Sequence, residues 1–170
     1  MFSVAPFSVA PALLDDLDRY VSLAQEAQAF LRGRGLAQWV PPAHASYRHV
    51  LVDRVAAGEL HKVVCADQAV AFFRLSAEGP EWWAPYPAPA SYVSGIVVAR
   101  DKKGFGIGRF VLDWCAARAQ ALAHDRLRLD CHAGNDWLCS YYAALGFHEV
   151  ARVETHPEYV CVLREKVFAG

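Results

Sequence analysis

Val97-Val98-Ala99-Arg100-Asp101-Lys102-Lys103-Gly104-Phe105-Gly106-Ile107-Gly108-Arg109 reads as the end of a β-rich run, a basic glycine-rich turn and the opening of a helix. The strand begins near Tyr92 and holds Gly95, a residue that inside a strand marks a bulge or a close backbone approach. The helix continues with Ile107, Phe110, Val111, Trp114, Ala117, Ala121 and Leu122 at helical spacing, about four turns. Glycines let the chain turn sharply, so that the amides of a helix start converge on an anion with the helix dipole behind them. Arg100, Lys102, Lys103 and Arg109 add positive charge at the same place. A phosphate or pyrophosphate is the ligand such a turn suits. A dinucleotide fingerprint fails because Arg109 stands where the third glycine belongs, and a Walker motif fails because no Gly-Lys-Ser/Thr occurs.

Working outward, Leu127 to Cys131 is a strand, and Leu138, Tyr141, Tyr142 and Leu145 share a face of a helix that starts near Asn135 and stops at Gly146. Closing strands are expected near 147–153 and 159–167. Upstream, residues 2–6 read as a strand, and Pro11 as the first turn of a helix carrying Leu13, Leu17, Val21, Ala24 and Leu31, ended by Gly33 and Gly35. A second helix over 46–57 closes at Gly58. Lys62 to Ala66 and Ala69 to Leu75, joined by Asp67-Gln68, form a hairpin, and Pro80 to Pro89 is a loop. The order is α/β.

A chain of 170 residues, 55% hydrophobic and 21% charged, with 17 Lys+Arg against 18 Asp+Glu, is expected to fold as a single domain over 1–170. That balance disfavours disorder and gives no support for nucleic acid as a partner. The five cysteines are odd in number and form no C-x-x-C pair, which argues against a disulfide framework and a Cys-rich zinc site. His148-Glu149 opens like H-E-x-x-H, but Arg152 holds the place of the second histidine, so no metal is expected. The apolar opening carries three prolines and runs into Asp15-Asp16, and no window offers the ~18 apolar residues of a membrane span. A cytoplasmic location without membrane contact is expected; a homodimer stays open, because one sequence does not reveal a dimer face.

Lys103-x-x-Gly106-x-Gly108 after a strand, followed by a helix and then by Asn135-x-x-Leu138-x-x-x-Tyr142-x-x-x-Gly146-Phe147, resembles the GNAT acyltransferase superfamily. The paired spacing carries the likeness. Leu31-Arg32-Gly33-Arg34-Gly35-Leu36-Ala37-Gln38-Trp39 is similar to the W-L-x-x-x-G-x-x-Q-W segment of a bacterial branch, and Arg128-Leu129-Asp130-Cys131 to its R-L-D-C strand. Lys103 stands where Arg or Gln is commoner, and Phe30-Leu31 replaces Trp-Leu. The resemblance implies a GNAT-like α/β fold with a mixed, mainly antiparallel sheet of six to seven strands and about four helices, splayed between the fourth and fifth strands. It also implies acetyl-CoA as cofactor. Lys103, Gly104, Phe105, Gly106, Ile107, Gly108 and Arg109 would then hold the pyrophosphate, and Ile96, Val97 and Val98 the pantetheine strand; Asn135 and Leu138 would contact the cofactor. Tyr142 would be the general acid toward the sulfur, with Tyr141 as its neighbouring competitor.

Transfer to an amine also needs a base, a donor for the developing oxyanion and an acceptor site. Glu81 is the preferred base because it adjoins Trp82-Trp83, where an apolar pocket raises a carboxyl pKa; Glu59, Glu78, Asp130 and the histidines compete. Gln38, Trp39 and Trp83 offer rigid walls for a small amine acceptor. Asn135 doubles as a helix N-cap. Cys131, between Asp130 and His132, invites an acetyl-cysteine route, but neighbouring strand residues point to opposite faces and do not converge as a triad. The resulting expectation is an acetyl-CoA-dependent N-acetyltransferase working by direct transfer in a ternary complex. The alternatives are another acyl-CoA, an O-acceptor, or a coenzyme A-binding regulatory module without turnover.

Overall fold

Ala66 and Asp67, both in the left-handed region at φ 47° and 63°, form a two-residue turn whose sense matches the twist of the strands on either side. It joins β2 (Leu60–Cys65) to β3 (Gln68–Ser76), with Cys65 opposite Gln68. The hairpin is therefore as expected, with its turn one residue earlier. The computed structural model describes residues 7–38 and 47–169, so the strand expected over 2–6 lies outside the described residues. The remaining elements are β1 (Ser8–Pro11), α1 (Leu17–Arg32), α2 (Arg48–Ala56), β4 (Ala90–Val98), α3 (Ile107–Ala121), β5 (Arg126–His132), α4 (Asp136–Ala144), β6 (His148–His156) and β7 (Tyr159–Val167). Their seven strands form one sheet in the order β1-β2-β3-β4-β5-β7-β6, a mixed α/β arrangement with four α-helices among the described residues. β4 and β5 are parallel; β1–β2, β2–β3, β5–β7 and β6–β7 are antiparallel.

The chain divides into two compact units, residues 1–74 with 95–111 and residues 75–94 with 112–170. In the first, α1 turns Leu17, Tyr20, Leu23 and Ala24 inward with Leu51, Phe72 and Val97. Burying a side chain such as fully enclosed Phe72 contributes about 1.5–3 kcal/mol, and Tyr20 meets its ring edge-on at 5.4 Å. Pro11 is not in the helix. It ends β1 opposite His61, on a strand at one end of the sheet order, where a missing N–H is tolerated. The chain then turns at Leu14–Asp16, held by Asp16 N–H to Leu13 O (3.0 Å) and by Lys62 Nζ on Asp16 (2.8 Å), so Leu13 faces solvent rather than the core.

In the second unit β7 lies between β5 and β6, and Glu158 at φ 63° turns β6 into β7. Arg128 of β5 is buried; it donates to Glu165 Oε2 (3.0 Å), Tyr86 O (2.6 Å) and Tyr92 Oη (3.1 Å), with its guanidinium 4.5 Å from the Trp83 ring centroid. A buried guanidinium is tolerated when its donors are met, and Glu165 supplies the countercharge. The arginine of the R-L-D-C strand is thus a structural residue that fastens segment 83–92 to β5. β6 exposes His148, Glu149, Arg152, Glu154 and His156.

Candidate active site

The glycine turn leads from β4 into α3. Val97 is buried in the first unit's core while Ile96 and Val98 are half-buried, the alternation that a strand gives to its two faces. Ala99 N–H donates to Val70 O (2.8 Å), Lys103 N–H to Arg100 O (3.3 Å) and Phe105 N–H to Lys102 O (3.3 Å). Gly104 and Gly106 then take φ values of 86° and 77°, a region that other residues enter only with strain. A Cβ at either position meets no heavy atom within 4 Å, so backbone conformation rather than crowding demands glycine there. Phe110 makes the first intrahelical bond of α3, to Gly106 O at 3.0 Å; the amides of Ile107 and Gly108 precede it, at the positive end of the helix dipole. Lys103, Gly104, Phe105 and Arg109 are exposed and Gly108 is half-buried, whereas Ile107 is buried and anchors the helix. The turn is open and its stretch of chain carries Arg100, Lys102, Lys103 and Arg109, a positive setting that suits a diphosphate such as that of coenzyme A.

β4 and β5 pair only over Ala90–Tyr92 against Arg126–Arg128, although β4 runs to Val98 and β5 to His132. Farther along β4, Gly95 at φ 60° departs from strand geometry. A Cβ on Gly95 stands 3.3 Å from Tyr20 Oη, so the glycine also marks a close approach.

In the second unit α4 shows why its motif has that spacing. Asn135 is the N-cap, its Oδ1 accepting the Leu138 N–H at 3.1 Å. At the other end Gly146 (φ 86°) donates to Ala143 O (3.0 Å) and Phe147 N–H to Tyr142 O (3.1 Å), the paired bonds of a Schellman cap. The accompanying apolar contact is Tyr142 against Phe147, rings edge to face at 6.0 Å. Asn135, Leu138, Tyr142, Gly146 and Phe147 are therefore the two caps of one helix and the contacts that set it. Arg164 supports the corner from β7, donating to Phe147 O at 3.1 Å.

Tyr142 is buried, and burial first, then the Cys131, Tyr141 and Asp130 side chains, pushes its phenol well above the ordinary tyrosine value. It keeps its proton at neutral pH. Tyr141 instead stacks on exposed Trp137 at 5.3 Å. Along β5 the three adjacent residues find different partners, as the alternation requires: Asp130 accepts from Trp82 Nε1 (3.2 Å), Cys131 Sγ lies 3.6 Å from Cys139 Sγ, and His132 stacks on Tyr159 at 4.4 Å. Burial raises the Asp130 pKa against the lowering effect of the Trp82 and Cys161 hydrogen bonds. Burial, with Cys139 beside it, also pushes the Cys131 thiol up, which disfavours the thiolate that a covalent route requires. All five cysteines are free, and Glu149 pairs with Arg152 at 2.8 Å. Among the described residues no cluster of histidine, cysteine or acidic side chains could hold a metal ion.

Gln38 is buried, Trp39 lies outside the described residues, and Trp83 is buried against Arg128, Tyr86 and Tyr92. Glu81 is exposed on the single turn Glu81–Trp83. The sequence favours Glu81 over Asp130 because adjacency along the chain does not reveal that the indole of Trp82, rather than Glu81, reaches β5. The Arg128 anchor is hidden for the same reason, although an arginine inside an apolar strand is its signal.

These features have counterparts in known proteins. An uncharacterized N-acetyltransferase of Bacillus subtilis (strain 168), YesJ, is 27% identical over 146 residues, covering 83% of this chain and 81% of that protein. The GNAT-family acetyltransferase of Listeria monocytogenes 4b F2365 superposes with a TM-score of 0.76 at 19% identity, over 95% of each chain. The PaiA N-acetyltransferase of Thermoplasma acidophilum, solved in complex with coenzyme A, gives 0.73 at 13% identity, over 96% of this chain and 99% of that one. No described helix is long and apolar enough to cross a membrane. With the glycine turn and the capped α4 both inside residues 36–147, the span matched by the acetyltransferase (GNAT) family model, the chain belongs to that family and is an acetyl-CoA-dependent N-acetyltransferase.

Proposed function

We propose that this chain, working as one cytoplasmic acyltransferase domain, acetylates the nitrogen of a small amine by direct attack within a ternary complex. The observation that carries the proposal is a pair of groups in the second unit: a phenol that keeps its proton, Tyr142, and a partly buried carboxyl of raised proton affinity, Asp130, which is among the charges acting on that phenol. The carboxyl is a better proton acceptor than an exposed aspartate, and the phenol, still protonated at neutral pH, has a proton to give. When bound, acetyl-CoA supplies the activated acetyl thioester. Lys103 and the turn Gly104–Gly108 hold its diphosphate, Asn135 and Leu138 contribute contacts from α4, and an N–H of the Ile96–Val98 stretch donates to the carbonyl oxygen. Asp130 accepts the proton that the ammonium must lose before attacking; the neutral nitrogen bonds the acetyl carbon, the carbon–sulfur bond breaks, Tyr142 gives its proton to the departing sulfur, and the second proton shed by the acylated nitrogen returns to the Tyr142 oxygen. Asp130 fits the base better than exposed Glu81 does, because burial and the Trp82 contact fix its position. The aromatic segment Trp82–Tyr86 forms the acceptor wall, with half-buried Trp82 its contact surface and Trp83 its support.

The test is release of free thiol from acetyl-CoA across a panel of small amines. Acceptor-dependent turnover, lowered in Tyr142→Phe and Asp130→Asn with acetyl-CoA affinity retained, supports the assignment. Binding without turnover on any amine would return the chain to a regulatory role, and acetyl trapped on Cys131 without acceptor would replace direct transfer by a covalent route.

A further inference from the structure

Three cations from two distant stretches of the first unit gather on one aromatic ring. The guanidinium carbon of Arg100 lies 3.5 Å from the Phe30 ring centroid, that of Arg34 4.5 Å and the Lys103 ammonium 5.9 Å. All three charged side chains are exposed, and the ring is half-buried near the end of α1. A cation over an exposed ring gains about 0.5–1 kcal/mol, which accounts for one such contact. It does not account for three, since like charges gathered within roughly a Debye length, ~8 Å in physiological salt, repel one another. The dipole at the C-terminal end of α1 favours Arg34 but says nothing of Arg100 and Lys103. Nor does an acid neutralise the group. Asp101, the carboxylate beside them in sequence, pairs with Lys102 at 3.2 Å, and among the described residues no ion pair includes Arg34, Arg100 or Lys103. In a chain whose formal net charge is only −1, this is a local excess of positive charge without an acidic partner among the described residues.

We propose that Arg34, Arg100 and Lys103, set around Phe30, form a binding site for a phosphate monoester, and that its occupant is the 3′-phosphate of acetyl-CoA. The proposal rests on the acetyl-CoA reading and deepens it by naming a second anchor for the nucleotide end. A phosphomonoester carries close to two charges and three acceptor oxygens, matching two planar guanidinium forks and an ammonium. Lys103 adjoins Gly104, so the site is continuous with the turn assigned to the diphosphate. The ring keeps the guanidinium groups in place without an acid that would compete with the ligand.

Calorimetric titration of the full chain with acetyl-CoA and with 3′-dephospho-acetyl-CoA tests this directly. The wild type should prefer the phosphorylated form by about tenfold or more, a factor typical of hydrogen bonds to charged groups. Arg34→Gln, an exposed position whose melting temperature should not move, should shrink that preference several-fold and leave the affinity for the dephospho form unchanged, and Arg100→Gln should shrink the preference as well. Phe30→Leu should shrink it too. Equal wild-type affinity for the two forms would overturn the inference while leaving the acetyl-CoA reading intact; failure to bind either form would remove both. Variants that weaken both forms equally would also overturn it. So would a loss confined to the acceptor KM, which would give the platform to an anionic acceptor.

Discussion

The first turn of α4 is closed by its own chain, Asn135 Oδ1 taking the Leu138 amide at 3.1 Å, whereas the first turn of α3 comes after Gly106, which has no side chain to offer. Both starts are marked in the sequence. The difference lies in where the orphaned amides are directed. A self-capped start stabilises its helix and fixes the register of the residues beyond it, here Tyr142 two turns on. A start whose cap is glycine gives up only a few tenths of a kcal/mol of capping energy and leaves its amides to an anion. One helix start therefore serves position and the other serves ligand, and substitutions should separate the two.

The largest expected effect is on turnover. Tyr142→Phe keeps the ring contact with Phe147 and removes the proton, so kcat should fall about 100-fold while the acetyl-CoA Kd stays within error; steady-state kinetics beside calorimetry reads both, and an equal loss in each would place Tyr142 in binding instead. Gly106→Val should do the reverse. A β-branched residue at φ 77° disturbs the turn itself, and acetyl-CoA affinity should drop about tenfold or more. If only the melting temperature moved, the start of α3 would be a turn and nothing else.

Smaller shifts sharpen the α4 side. Trp82→Phe deletes the N–H on Asp130, which lowers the pKa of that carboxyl. Without it the pKa rises, Asp130 stays protonated to higher pH, and the acidic limb of the pH–rate profile should move upward; a limb that stayed put would exclude Asp130 as the base. Asn135→Ala should cost about 1 kcal/mol of stability through the lost cap, roughly 2–4 °C in melting temperature. The smallest change should be a gain. Ala123 ends α3 at φ 57°, with His124 N–H on Ala119 O (3.0 Å) and Ala123 N–H on Gln120 O (3.0 Å), the same cap that Gly146 makes for α4. Ala123→Gly should stabilise by about 0.5–1 kcal/mol in thermal melts, because glycine takes that conformation without strain.

Much of this was legible in the sequence because local rules govern it. Gly104, Gly106 and Gly146 sit where backbone conformation demands glycine, and Asn135 caps the helix that its spacing announced. The hairpin around Ala66-Asp67 is implied by two short β-rich runs. What escaped depends on tertiary placement. Pro11 reads equally as a first helical residue or as the end of an outer strand, and the pairing with His61 decides for the strand. Trp82 and Trp83 are indistinguishable as neighbours in a proline-rich loop; folded, one reaches Asp130 and the other is buried beneath Arg128. The Phe30 platform joins residues too far apart along the chain for any spacing rule to connect.

The strands at the two ends of the sheet order carry a consequence for solubility. β1 is four residues long and finishes on a proline without an N–H, and β6 presents an exposed row of histidine, glutamate and arginine. A neighbouring molecule adding its own strand to either would find few bonding groups on one and a hydrated fringe of charge on the other. Crowded copies thus meet a poor template for the growth of cross-β aggregates.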